Sequence, residues 1–139
     1  YERDGEGMSS MRCACGGTIS NIEVPCPTEG WLYGEQDNDR FREDVSARIA
    51  GFVAAVREGQ RGEWVAETFG ESYTRDSPDA EVIHGLILAT EGAYALSVDE
   101  YPTCGRLHVQ TEPGVNQYRG FAPDEPGYHR VLAPKLGQT

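Results

Sequence analysis

The clearest hydrophobic periodicity in this chain lies between Asp37 and Glu58. Phe41, Val45, Ile49, Phe52, Val53 and Val56 recur at helical spacing on one face, which leaves Arg40, Arg42, Glu43, Arg48 and Arg57 for solvent. Asp37 or Asn38 is placed to cap the N-terminus, Asp39 suits the positive end of the helix dipole, and Gly59 marks the C-terminal stop. A shorter apolar group, Trp64, Val65 and Phe69, predicts a second helix or an irregular packed segment within 60–70. Ser77 followed by Pro78 is a helix start, and Ile83, Leu86, Ile87 and Ala89 carry that helix to about Thr90.

The period then changes. Residues 92–100 read as a strand, 101–105 as a tight turn, and 106–111 as a strand with Leu107 and Val109 on one face and Arg106, His108 and Gln110 on the other. Near the N-terminus, residues 11–26 read as two extended pieces around the turn at Gly16 and Gly17, and Trp31 to Tyr33 as a brief strand. The segment from Glu112 onward, rich in Pro and Gly, is expected to wrap over the sheet without regular structure. Residues 1–10 read as a loose tail and 11–139 as a single α+β domain. In it, a small antiparallel sheet is built from N- and C-terminal hairpins, and two or three helices pack on one face. The expected core includes Ile19, Phe41, Val45, Ile49, Phe52, Val56, Trp64, Phe69, Ile83, Leu86, Ile87, Leu96, Val98, Leu107 and Val109.

Composition narrows the function classes. Twelve basic against twenty-three acidic residues give a net charge of −11 over 139 residues. Such a surface repels phosphate backbones, which disfavours nucleic acid as a partner. The longest clean apolar run, Ile49 to Val56, is far short of the roughly 20 residues that span a bilayer. No basic segment followed by an apolar one marks a secretory signal, so the expected location is cytoplasmic.

In a reducing compartment, Cys13, Cys15, Cys26 and Cys104 read as metal ligands or spare thiols more readily than as disulfides. Two lie in knuckle contexts, Cys13-Ala14-Cys15-Gly16-Gly17 and Pro102-Thr103-Cys104-Gly105-Arg106. A Gly just after a cysteine lets the backbone turn its amides toward the sulfur. Zinc takes four such ligands in a tetrahedron. One zinc on Cys13, Cys15 and Cys104 would pin the N-terminal hairpin to the C-terminal one, with Cys26, His108 or another group as the fourth ligand. The second knuckle is incomplete, because Tyr101 stands where its first cysteine would be. Two alternatives stay open: small buried thiols, and a disulfide from Cys26 to Cys104 or Cys15.

The segments CACGGTIS (13–20) and YPTCGRLHV (101–109) resemble a loose group of small bacterial proteins with a CxCG opening and a later CPxCGRL pattern. These are similar to split zinc ribbons, and some resemble candidate immunity proteins encoded beside secreted toxins. The resemblance implies a ribbon-like sheet, zinc on Cys13, Cys15 and Cys104, and a protein partner; Tyr101 departs from the pattern.

Other motifs are weaker. An EF-hand loop counted from Asp37 would place Arg42 and Arg48 where Gly and Glu are required. His84 reads as a partly buried helix residue and His108 as a surface residue, ahead of a ligand or a general base beside Cys104. Adjacent carboxylates such as Asp99 and Glu100 read as solvated surface. The leading expectation is a non-enzymatic acidic inhibitor that occludes a basic bacterial toxin, as an immunity protein would. Its contact residues would be Trp31, Tyr33, Asp37, Asp39, Asp99, Glu100 and Tyr101. The alternatives are a zinc-ribbon module of a nucleic-acid or transcription assembly, and a Cys-dependent enzyme using Cys104 and His108.

Overall fold

A computed structural model describes residues 10–20, 26, 28–70, 76–125, 127 and 130–135. Of the expected tail only Ser10 is among them, and it opens a strand; the side chain of Ile19 lies outside what is described. Three helices and two antiparallel sheets are found among these residues, so the α+β class holds. The chain divides into two compact units, residues 33–94 and the combined segments 1–32 and 95–139.

The helical unit is built from α1 (Glu35–Arg57), α2 (Arg61–Phe69) and α3 (Asp79–Tyr94). α1 begins two residues before Asp37. Gly34 is its N-cap and accepts the first backbone bond from Asn38, at 2.9 Å. Glu35 and Asp37 lie in the first turn, where the unmet amides favour negative charge. Gly59, with φ of +71°, turns the chain from α1 into α2, as its position suggested. Phe52, Val65, Val82 and Leu86 form the core, with Ile49, Trp64, Phe69 and Ile83 packed against them. The buried stripe of α1 runs through Phe52 and Ala55, and Val53 and Val56 fall on its exposed flank. Ile87 is likewise exposed, while Val82, one residue before expected Ile83, is fully buried.

Arg61 joins the starts of α2 and α3. Its guanidinium donates to the Ser77 carbonyl and to Asp79, the latter at 2.9 Å, and its Cζ lies 5.5 Å from the centre of the Phe52 ring. α3 runs one turn further than its apolar pattern predicts, so residues 92–94 are helical. Two contacts explain this: Tyr94 packs edge-on against Phe41, and its hydroxyl donates to Asp44 at 3.2 Å. Tyr33 stacks on Phe41 at a ring separation of 5.8 Å. Its phenol is pushed up to about 12, first by burial and then by a hydrogen bond to the Glu91 carboxylate. No described helix is long and apolar enough to cross a membrane.

The β unit holds a two-stranded ladder, β1 (Ser10–Arg12) with β2 (Thr18–Ser20), and a four-stranded sheet. The sheet order is β3 (Glu29–Leu32), β4 (Leu96–Glu100), β5 (Leu107–Gln110), β6 (Tyr118–Phe121). The N-terminal hairpin therefore forms its own ladder, and β3 is the strand that pairs with the C-terminal hairpin. The tail is not wholly irregular either: Tyr118–Phe121 adds β6, with Tyr118 opposite Gln110 and Phe121 opposite Leu107.

Side-chain alternation puts Ser97, Asp99, His108 and Gln110 on one face, and Leu96, Val98, Glu100, Leu107 and Val109 on the other. The polar face is interior at its centre: Asp99 is 2% exposed and His108 opposite it 1%. His108 is therefore not a surface residue, whereas His84 is exposed rather than partly buried. Glu100 is fully buried and accepts the backbone N–H groups of Val131 and Leu132 at 2.7 and 3.3 Å. Tyr101 is 1% exposed. Asp99, Glu100 and Tyr101 thus belong to the interior and correct the expectation that they form a contact surface. Asp99 and Glu100 lie on β4, which is paired on both sides, and Tyr101 follows it into the turn; a carboxylate with backbone donors to bind, as Glu100 has, is kept inside.

Two outcomes follow. Glu100→Ala leaves two backbone donors unmet and should cost about 3 kcal/mol in a denaturant titration, whereas Asp39→Ala on exposed helix should stay within about 0.5 kcal/mol. Phenolate absorbance of the wild type should include a late step near pH 12 that Tyr33→Phe removes. Because the folded state holds this proton more tightly than an unfolded tyrosine at about 10, its contribution to stability is complete below pH 10 and is lost between 10 and 12.

Candidate metal centre

Two tight turns build the site. In the first, between β1 and β2, the Cys13 N–H donates to the Gly17 carbonyl at 2.8 Å and the Gly16 N–H to the Cys13 carbonyl at 2.9 Å. In the second, between β4 and β5, the Gly105 N–H donates to the Tyr101 carbonyl at 2.7 Å and the Tyr101 N–H to the Arg106 carbonyl at 2.9 Å. Each turn carries a cysteine followed at once by a glycine in the left-handed region, Gly16 at φ +89° and Gly105 at φ +73°. A side chain there would strain either turn.

The turns bring three thiols together. The sulfurs of Cys13, Cys15 and Cys104 all lie within 4.8 Å of one another. Cys13 and Cys104, 91 positions apart in sequence, approach to 3.6 Å between Sγ atoms. All four cysteines are free thiols. A sulfur–sulfur bond would be about 2.0 Å long. Two thiolates on one tetrahedral zinc, each at about 2.3 Å, would stand about 3.8 Å apart. The observed spacing therefore suits ligands sharing an ion, and this cluster could hold a metal.

The three sulfurs differ in surroundings. Cys13 is 2% exposed and packs with Tyr101 and Tyr118, with Cys104 against them. Burial is the main reason its thiol is pushed up from the ordinary range. Cys15 is exposed. The Gly17 amide beside it, and then the neighbouring thiols, lower its pKa and favour the thiolate. Cys104 and Cys15 line an open cavity of about 450 Å³ together with Arg106, Ala122 and Pro123.

The remaining expected ligands are elsewhere. Cys26 is half-buried, with its Sγ 3.4 Å from the Thr28 hydroxyl, and is not part of the cluster. A local thiol–hydroxyl contact occupies it, outside either turn. His108 is also outside the cluster. Its ring meets the Tyr101 ring edge-on at 4.9 Å, and burial, then the Arg106 charge, lower its pKa. Tyr101, at the position where the resemblance would have a cysteine, puts a buried aromatic ring there. The cavity beside the thiols, with Arg106 in its wall, was missed by sequence reasoning. The only available signal was Arg106 immediately after the Cys104-Gly105 turn.

Of the expected contact residues, Trp31 is 54% exposed on the sheet's edge strand β3, and Asp37 and Asp39 are exposed on α1. Tyr33 is half-buried between Phe41 and Glu91.

A family model described as a domain of unknown function, DUF8617, matches residues 9–125. No curated protein and no solved structure matches the chain.

Exposure and thiolate character predict the order of alkylation. In chelator-treated protein at neutral pH, iodoacetamide should modify Cys15 first and Cys13 last. Peptide mass mapping over time checks this, and modification of Cys13 first would contradict the geometry.

Proposed function

We propose that this chain, which belongs to the DUF8617 family, is a zinc-clipped, non-enzymatic binding protein for a basic protein partner, acting as an immunity-like inhibitor of a bacterial toxin. The observation that carries the metal half is the convergence of the Cys13, Cys15 and Cys104 sulfurs within 4.8 Å, from two turns that each place a positive-φ glycine after a cysteine. Zinc is the ion of choice for a set of soft thiolates with no redox partner needed. Its role is structural. The ladder of β1 and β2 has three residues in each strand. A hairpin so short is not stable alone, and an ion shared with Cys104 would fix it to the β4–β5 turn.

The partner half rests on charge. The net charge of −11 and the exposed Asp37 and Asp39 favour encounter with a basic surface, and a positive toxin is steered to an acidic inhibitor. The burial of Asp99, Glu100 and Tyr101 removes them from that role, and leaves Trp31 as the exposed aromatic anchor among the expected residues. A Cys104–His108 enzyme receives less support, since His108 lies against Tyr101 outside the thiol cluster.

Elemental mass spectrometry of purified protein should give one zinc per chain. Thiol titration should show three masked sulfhydryls that a chelator releases, and Cys104→Ser should lose the metal. Absence of zinc with four freely reactive thiols would refute the metal half. For the partner half, the tagged protein should retain one stoichiometric basic protein at low salt and release it at high salt, with retention weakened by the Trp31→Ala and Asp37→Asn/Asp39→Asn variants. A pull-down that recovers no stable partner would refute it.

A further inference from the structure

The thiol cluster has three protein ligands where zinc takes four. Among the described residues no fourth Cys, His, Asp or Glu joins the group. Cys26 is held by Thr28, and His108 faces Tyr101. The cluster is also closed on one side and open on another. Cys13 is buried against Tyr101 and Tyr118, whereas Cys15 and Cys104 border a cavity of about 450 Å³. That volume suits a small organic molecule. Among the described residues that line it, the charged group is Arg106, beside the apolar Ala122 and Pro123.

We propose that the fourth position of the metal is filled from this cavity by a small thiol that carries a carboxylate. The inference rests on the metal reading above. Two features select the ligand's chemistry. Three thiolates on one zinc form a soft site that accepts a further sulfur readily. They also donate enough negative charge to leave a bound water a poor nucleophile, unlike the histidine-rich sets of hydrolytic zinc enzymes. Arg106 then supplies a permanent cation with paired N–H donors, the natural partner of a carboxylate. In an otherwise acidic protein, an arginine in the wall of the cavity gives an anion a local reason to bind. The exchange balances simply: the thiol loses its proton to solvent, the thiolate sulfur bonds the metal, and the water that held the position leaves.

The test uses full-length protein loaded with cobalt(II), whose sulfur-to-metal charge-transfer bands report the number of thiolates. The probes are 3-mercaptopropionate, cysteamine and propionate. 3-Mercaptopropionate should raise the charge-transfer intensity per cobalt by about a third, from three thiolates to four. Cysteamine, with an ammonium in place of the carboxylate, should need about tenfold more for the same change, and propionate should give no new sulfur band. Arg106→Gln should abolish the preference for 3-mercaptopropionate over cysteamine while cobalt stays bound. Cobalt that binds with the spectrum of four thiolates, or with a spectrum that no thiol moves, means an internal or partner-supplied fourth ligand; it overturns this inference and leaves the metal reading intact. A preference unchanged in Arg106→Gln overturns the assignment of the carboxylate. Failure of cobalt to give any sulfur charge-transfer band overturns the metal reading and this inference together.

Discussion

The β unit of this protein must hold together chain segments separated by the whole helical unit. Closing a flexible loop of roughly ninety residues costs about 4–5 kcal/mol of chain entropy. The approach of Cys13 to Cys104 closes that span, and the pairing of β3 with β4 closes a shorter one nested inside it, from Glu29 to Asp99. The second is supported by a ladder inside a four-stranded sheet. The first has only two three-residue strands and a small cluster of Cys13, Tyr101 and Tyr118 behind it. That disparity gives the thiol cluster its weight. Among the described residues, the sulfurs on the two sides of the closure form a group that could hold one ion between them, and such an ion would offset part of that entropy.

The helices were legible in the sequence because their signals are local. α1 and α2 follow the spacing of their apolar residues, and Ser77-Pro78 marks the approach to α3. Their ends were less legible. The last turn of α3 exists because Tyr94 reaches Phe41 and Asp44, and Asp44 stands fifty positions earlier in the chain. The strands posed the harder problem. His108 and Asp99 alternate with apolar residues and so read as the wet side of a sheet. In the structure they face each other in the interior, and a buried polar pair leaves no mark in a hydrophobic pattern. The strand Tyr118–Phe121 was hidden for a different reason: its short Y-R-G-F alternation sits inside Pro- and Gly-rich sequence.

The candidate site was half legible. Cysteine followed by glycine marked both turns, and the convergence of Cys13, Cys15 and Cys104 matches that reading. That Cys26 and His108 stand outside the cluster could not be read from spacing, because spacing says which residues lie near in sequence and nothing about which of them converge in space. Carboxylates taught the same lesson about charge. A net charge of −11 is a property of composition, but Glu100 spends its charge inside on two backbone amides. Acidity counted along the chain therefore overstates the acidity available to a partner, and the exposed carboxylates of α1 carry more of it than the strand residues do.

Leu32 pairs directly with Leu96 across β3 and β4. The polypeptide therefore leaves the β unit and returns to it at neighbouring positions, about 5 Å apart as adjacent strands are. Everything between these two leucines is, in topological terms, an elaborated hairpin loop. Because both crossings lie at one end of a paired register, a change of length between them leaves the pairing of Leu32 with Leu96 geometrically intact.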